Sequence, residues 1–276
     1  MAAAVRNAGL DKFYTVDSVA QNCINHVGSK YEWSSWTLVV EPSAGSGSFL
    51  LKIPDGVPKV GLDIAPEHEM VVKQDFLTWV PPGGKILVIG NPPFGKICSL
   101  AIKFFNHAAS FASVIAFIVP RTFRRISVQN KLNMKFSLVA DMDIAEEPCA
   151  FSPPMAAKCC FQIWASGGVR VPEVLLTTHA DWTFLPFGPV DEAGQPTVPT
   201  GADFAIRAYG GRCGQVTTAV AGLRPKSWHW IKASGSAETL IERFKKLDYS
   251  VSKNTARQNS IGRGDLVKLY SAAFSS

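Results

Sequence analysis

Short apolar runs alternate with segments of helical spacing through the first part of the chain, and glycine or proline turns separate them. Val16, Val19, Ala20, Cys23, Ile24 and Val27 recur every three to four residues, predicting a helix that Thr15 or Asp17 caps and Gly28 closes. The stretch from Leu10 to Thr15 precedes it as the first ordered feature. TLVVE at 37–41, KVGLD at 59–63 and MVVKQ at 70–74 read as strands. Ile86 to Ile89 is continuously apolar, the pattern of a strand buried on both faces of a parallel sheet. Leu100–Phe105 with Ala108 and Phe111 predicts a helix, and Val114–Val119 a fifth strand stopped by Pro120. Ser137–Asp143 and Cys159–Ala165 follow as two further strands, with Phe151-Ser152-Pro153-Pro154 as a loop between them that could overhang a substrate.

From about Gly167 the pattern changes, dividing the chain into residues 1–168 and 169–276. Glu173–Thr178, Phe204–Tyr209, Gln215–Val220 and Trp228–Lys232 are short strand candidates, the stretch 181–203 reads as loop, and helical spacing returns at Ala237–Leu247 and Asp265–Ala273. This describes a small α+β module. Arg207, Arg212, Arg224, Lys226 and Lys232 lie among Tyr209, Trp228 and Trp230, which fits either a nucleic-acid surface or a packed core with a solvated face.

Composition adds three bounds. At 276 residues and 47% hydrophobic content the chain supplies a full core. Apolar runs stay short of the roughly 18 residues that span a bilayer, and the start has no signal-peptide stretch, so the expectation is a soluble intracellular protein, cytoplasmic or nuclear, with no membrane partner. The six cysteines form no C-x-x-C pair and the histidines do not sit at metal-ligand spacing beside them, so reduced thiols and no metal are expected. The net charge of +6 permits a polyanionic partner without requiring one.

The chemistry-bearing residues fall at strand ends. The first four strands finish at Glu41, Asp63, Asp75 and Asn91. After Glu41 the run Pro42-Ser43-Ala44-Gly45-Ser46-Gly47 lets the backbone turn sharply toward an apolar helix start and approach a ligand. It lacks the full G-x-G-x-x-G, and no G-K-[ST] follows, which excludes a P-loop. Asp63 stands where doubly wound folds place a carboxylate on a ribose diol. Asn91-Pro92-Pro93-Phe94 ends its strand abruptly: two prolines delete two backbone donors and leave the Asn91 and Pro92 carbonyls without ladder partners. At the carboxyl end of a central strand, rigid unpaired acceptors followed by an aromatic ring suit a planar amine such as a purine amino group. A simple turn is the competing reading. Arg121, Arg124 and Arg125, just after the fifth strand, read either as phosphate contacts or as a solvated helix start.

EPSAGSGSFL together with NPPF resembles the class I S-adenosylmethionine-dependent methyltransferases, and more narrowly the NPPF/NPPY amino-methyltransferases. The resemblance covers about residues 10–166. The order, with Phe13-Tyr14-Thr15 before the glycine turn and the NPPF turn last, is similar to the gamma arrangement of adenine-N6 methyltransferases; the family's usual Tyr-Thr-Pro is Tyr14-Thr15-Val16 here. It implies an α/β, Rossmann-like sheet, mostly parallel with an antiparallel last strand, followed by the small C-terminal α+β module as substrate-recognition part. It also implies S-adenosyl-L-methionine as cofactor and methyl transfer to adenine N6 in nucleic acid, DNA slightly favoured over RNA, on a flipped or single-stranded base. On that resemblance Tyr14, Thr15, Ala44 and Ile64 belong to the cofactor site, Gly45 and Gly47 admit the methionine part, Glu41 or Asp63 binds the ribose, and Asp75 binds the cofactor's adenine amino group with Phe76 against its ring. Asn91 and Pro92 accept the N6 hydrogens on a turn made rigid by Pro93, Phe94 stacks on the base, and Lys96, Arg121, Arg124 and Arg125 contact the substrate. Guanine-N2 methylation of ribosomal RNA, glutamine-N5 methylation of protein, and a catalytically silent nucleic-acid-binding subunit are the alternatives.

Overall fold

The computed structural model describes residues 13–274, so Leu10, Asp11 and Lys12 of the first predicted feature lie outside the described residues. The chain divides into two compact units, between Pro172 and Glu173.

The first unit is built on a seven-stranded sheet. Its elements are β1 (Tyr14–Thr15), α1 (Asp17–Gly28), β2 (Leu38–Pro42), β3 (Lys59–Asp63), β4 (Val71–Lys73), β5 (Ile86–Gly90), α2 (Ser99–Ala108), β6 (Val114–Pro120), α3 (Ile126–Gln129), β7 (Phe136–Asp143), β8 (Phe151–Ser152) and β9 (Cys159–Ser166). The order across the sheet is β4-β3-β2-β5-β6-β9-β7. Strands β4, β3, β2, β5 and β6 pair in parallel, while β9 runs antiparallel to both β6 and β7. This is the Rossmann-like sheet, mostly parallel with an antiparallel last strand, that the resemblance implied.

Burial explains the pattern. All residues of β5 and β6 are buried, as continuous apolar runs between two covered faces must be. One face packs Val39, Leu87, Ile89 and Ile118 against α1 through Ala20, Cys23, Ile24 and Val27. The other packs Val40, Ile86, Val88 and Ile115 with Ala101, Phe104, Phe105 and Ala108 of α2. The apolar helix expected after the glycine turn is a single 3-10 turn, Leu50–Lys52. Pro54, two residues on, and Gly56 leave it no length to extend.

The topology places one crevice. From β2 the chain winds outward through β3 to β4, then returns to lay β5 on the other side of β2. Outside the carboxyl ends of β2 and β5, at this switch point, open α/β sheets leave room for a ligand. Both the glycine turn and NPPF emerge there.

The second unit has a four-stranded antiparallel sheet, ordered β10-β13-β11-β12, from β10 (Trp182–Phe184), β11 (Phe204–Arg207), β12 (Val216–Thr217) and β13 (Trp228–Ala233), with α4 (Ala237–Lys245) and α5 (Arg263–Phe274). Phe204, Ile206 and Ile231 pack with Leu240 and Phe244 of α4 and Leu266 and Tyr270 of α5. On the other side Trp228 and Trp230 pack with Leu185, Val198 and Leu223. Both tryptophans are therefore core residues, so of the two readings the packed core holds for them, while Tyr209 stands exposed. Two strand assignments also change. The stretch 173–178 forms no strand, since Val174 and Leu176 are exposed with no core to pair against. Within the supposed loop 181–203, Trp182 is buried and pairs with Ala233, a long-range partner that local sequence does not announce.

No helix among the described residues is long and apolar enough to cross a membrane. None of the six cysteines is joined in a disulfide, and four of them are buried.

Candidate active site at the β2/β5 switch point

The glycine turn is held from beneath by Glu41. Its side chain is 2% exposed, and its two carboxylate oxygens accept the backbone N–H groups of Phe49, at 3.2 Å, and Leu50, at 2.6 Å. Burial pushes this carboxyl up to about 8 against the pull of those two amides, with Asp63 adding to the rise. Both oxygens are engaged within the turn, so the sequence-based option that Glu41 binds a ribose gives way to a supporting role.

Asp63, at the end of β3, faces the same turn. Its Oδ2 accepts the Gly45 N–H and its Oδ1 the Ala65 N–H, each at 2.8 Å. Ala44 closes the turn through its N–H to the Leu62 carbonyl. Gly45 adopts φ +52°, and a Cβ there would stand 2.7 Å from the Tyr14 ring. That is a close approach of an aromatic face to backbone which only glycine permits. Gly47, at φ +83°, donates to the Ala44 carbonyl. Beside Asp63, Ile64 stands half exposed.

Tyr14 is fixed from two sides. Its strand pairs with Ser152 and Phe151, which ties the FYT segment to the FSPP loop. Its hydroxyl donates to Glu67 Oε1 at 2.5 Å, and Glu67 in turn donates its N–H to the Gly45 carbonyl. Burial first, then the Glu67 hydrogen bond and the Glu67 and Asp63 charges, push the phenol far above its ordinary range. Thr15 is 5% exposed and its Oγ1 has no partner.

Asn91 follows β5 directly. Its Nδ2 donates to the Phe13 carbonyl at 3.2 Å, which fixes the amide so that Oδ1 faces the other way. That oxygen is buried and has no hydrogen-bond partner. Leaving a buried acceptor unpaired costs about 1–3 kcal/mol, so an orphan of this kind calls for a reason. Pro92 is buried and Pro93 partly so. Phe94 is partly buried against the cluster containing Ile89 and Phe151, and its carbonyl accepts the N–H groups of Leu100 and Ala101 at the start of α2.

Several predicted contacts are placed elsewhere. Phe76 is 2% exposed, stacked on Phe104 and edge-on to His107, so its ring belongs to the core and is not free to lie on a cofactor. Asp75 beside it accepts the Leu77 N–H at 2.9 Å and caps the short 3-10 turn Phe76–Thr78. Arg121 pairs with Asp143 and Glu146, each at 3.3 Å. Arg124 is gripped by Asp141 and by Asp143, and the Asp141 hydrogen bond holds its guanidinium in the charged form. Two of the three arginines read as phosphate contacts thus neutralise acids of β7 and its following loop. Arg125 immediately precedes α3 as its N-cap, its carbonyl accepting from Val128 and Gln129. Lys96 is exposed two residues past Phe94.

Sequence reasoning missed Glu67 and the Phe13 carbonyl. Glu67 sits in an irregular loop with no periodic signal, and a backbone acceptor leaves none at all. Among the described residues, no group of three or more His, Cys, Asp or Glu side chains is placed to hold a metal ion.

No family model matches the chain, and no curated protein does either. Among solved structures it is similar to a putative class I S-adenosylmethionine-dependent methyltransferase from Listeria monocytogenes, at 14% identity, TM-score 0.46, over 57% of this chain and 62% of that one. It is similar to a putative RNA methyltransferase from Pyrococcus horikoshii at 15% identity, TM-score 0.43, over 58% and 90% of the two chains. A third is the 23S rRNA methyltransferase ErmE, at 15% identity, TM-score 0.41, over 56% and 70%.

Proposed function

We propose that the first unit transfers a methyl group from S-adenosyl-L-methionine to the exocyclic amino group of adenine in nucleic acid. The observation that carries this reading is the unpaired Oδ1 of Asn91 at the β2/β5 switch point. An amine N–H is the partner that a fixed, buried, neutral acceptor lacks, and the Pro92 carbonyl is a second acceptor one residue on.

The residues at the glycine turn fit the cofactor. Gly45 admits no side chain beneath Tyr14, Asp63 holds the turn's amides in place, and Ile64 offers an apolar face next to it. When bound, the cofactor supplies an already activated methyl group. The chain's task is therefore to position the amine and exclude water. Adenine N6 is a poor nucleophile because its lone pair is delocalised into the ring. Acceptors on both N6 hydrogens draw the nitrogen toward tetrahedral geometry and free that pair, with no general base needed beforehand. Phe94 stacks on the base, a contact worth about 1–3 kcal/mol. A base in a duplex cannot reach such a crevice, so the substrate is flipped or single-stranded. The gamma-like motif order favours DNA over RNA, and the second unit serves as the recognition module.

The test is nucleoside analysis of DNA and of RNA incubated with the protein and labelled cofactor. Label in N6-methyladenosine or its deoxy form is the expected result. Label in guanine N2, or in neither nucleic acid, would overturn the adenine assignment.

A further inference from the structure

Directly after Phe94 the backbone enters a conformation that L-residues rarely adopt. Gly95 has φ +67°, Ile97 has φ 52° and ψ 42°, and Cys98 has φ 60° and ψ 14°. For a β-branched residue the left-handed region is a genuine outlier, and glycine or asparagine would occupy it at far lower cost. Ile97 is unfavourable on a second count, since its side chain is 76% exposed. Its neighbours explain how the turn is enforced. Cys98 is 4% exposed, buried in the core beside Ala101 and Phe104, and the Phe94 carbonyl is fastened to the N–H groups of Leu100 and Ala101 at the start of α2. A Cβ on Gly95 would meet Leu100 at 2.8 Å. The segment is clamped at both ends, and the clamp turns an apolar, branched side chain outward three residues from the proposed base-stacking ring.

Strain of this kind persists where the surroundings over-determine it, and it gathers at ligand-contacting sites. At 76% exposure the Ile97 side chain adds little to the core among the described residues. We propose that Ile97 is the apolar contact for the nucleotide adjoining the target base, packing on the face that the target vacates when it leaves the stack. Apolar side chains, isoleucine among them, act this way between base steps in other protein–nucleic acid complexes. The inference rests on the adenine-methylation reading above and adds to it a residue that grips the flanking nucleotide.

The experiment compares the parent with Ile97→Gly and Ile97→Asn, using a single-stranded adenine-containing oligonucleotide as substrate and thermal melting as the structural control. Both variants suit the left-handed backbone, so the melting temperature should hold or rise. KM for the oligonucleotide should rise about tenfold, equal to about 1.4 kcal/mol. Replacing the nucleotide next to the target adenine by an abasic site should raise the parent's KM several-fold and leave that of either variant nearly unchanged. Unchanged KM in both variants, or an abasic effect equal in parent and variants, would overturn the proposal while leaving adenine methylation standing. So would a melting temperature that falls by several degrees, which would assign Ile97 a structural role. A parent that methylates no polynucleotide would overturn the underlying reading and this one with it.

Discussion

The Asn91 side chain donates its amide to the Phe13 carbonyl, 78 residues earlier in the chain, and in doing so points an unpartnered oxygen away from it. A backbone carbonyl accepts but cannot donate, so it selects one of the two amide orientations. Asparagine is thus held with its side-chain oxygen as the unpaired acceptor, which aspartate in the same place could not reproduce without repelling Phe13.

Asn91→Ala should lower methyl transfer by about a hundredfold or more, the scale on which one preorganised hydrogen-bond partner acts in a dry site. Cofactor affinity by calorimetry should stay within a factor of about two, because the proposed mechanism assigns Asn91 to the amine and not to the cofactor. Asn91→Asp should be similarly impaired. Full turnover in either variant would remove Asn91 from the mechanism.

Asp63→Ala should act the other way. Losing the carboxylate frees the Gly45 and Ala65 amides and with them the shape of the turn. Cofactor Kd should rise by at least about tenfold, or about 1.4 kcal/mol. Calorimetry giving the parent's Kd would show that the turn is held without Asp63.

Glu41 makes stability depend on pH. Its carboxyl is raised by burial from the ordinary 4.5 to about 8 in the folded chain. The folded state therefore binds a proton that the unfolded state has already released in that window, so this contribution is fully present below about pH 4.5 and is lost as pH climbs toward 8. Glu41→Gln, which cannot titrate, should flatten the fall in melting temperature between those limits. Identical slopes for parent and variant would mean that the two amides outweigh burial.

The strands of the first unit are legible in the sequence because continuous apolar runs such as Ile86–Ile89 and Val114–Val119 have one physical use, burial between two covered faces. Asn91 and the glycine turn are legible because proline and glycine restrict the backbone in known ways. Phe76 misleads because position beside Asp75 says nothing of which way a ring turns, and here it turns inward onto Phe104. Trp182 is invisible as a strand because its partner lies about fifty residues ahead, at Ala233. Arg121 and Arg124 mislead for the same reason: their acids, Asp141, Asp143 and Glu146, come from a later strand and loop.

The ion pairs of Arg124 separate two kinds of basic residue. Because its guanidinium is already matched by Asp141 and Asp143, Arg124→Ala should cost about 2 kcal/mol of stability, the scale of a hydrogen-bonded charge. It should leave the salt dependence of nucleic-acid binding untouched. Lys96 is exposed on the lip beyond Phe94, and Lys96→Ala should do the reverse: unchanged melting, weaker binding to every sequence, and a slope of log K against log salt shallower by about one, as expected when a single phosphate is no longer neutralised. Titrations at several salt concentrations decide the matter. A slope that flattens for Arg124→Ala and not for Lys96→Ala would show that the arginine leaves its acids for phosphate when nucleic acid binds.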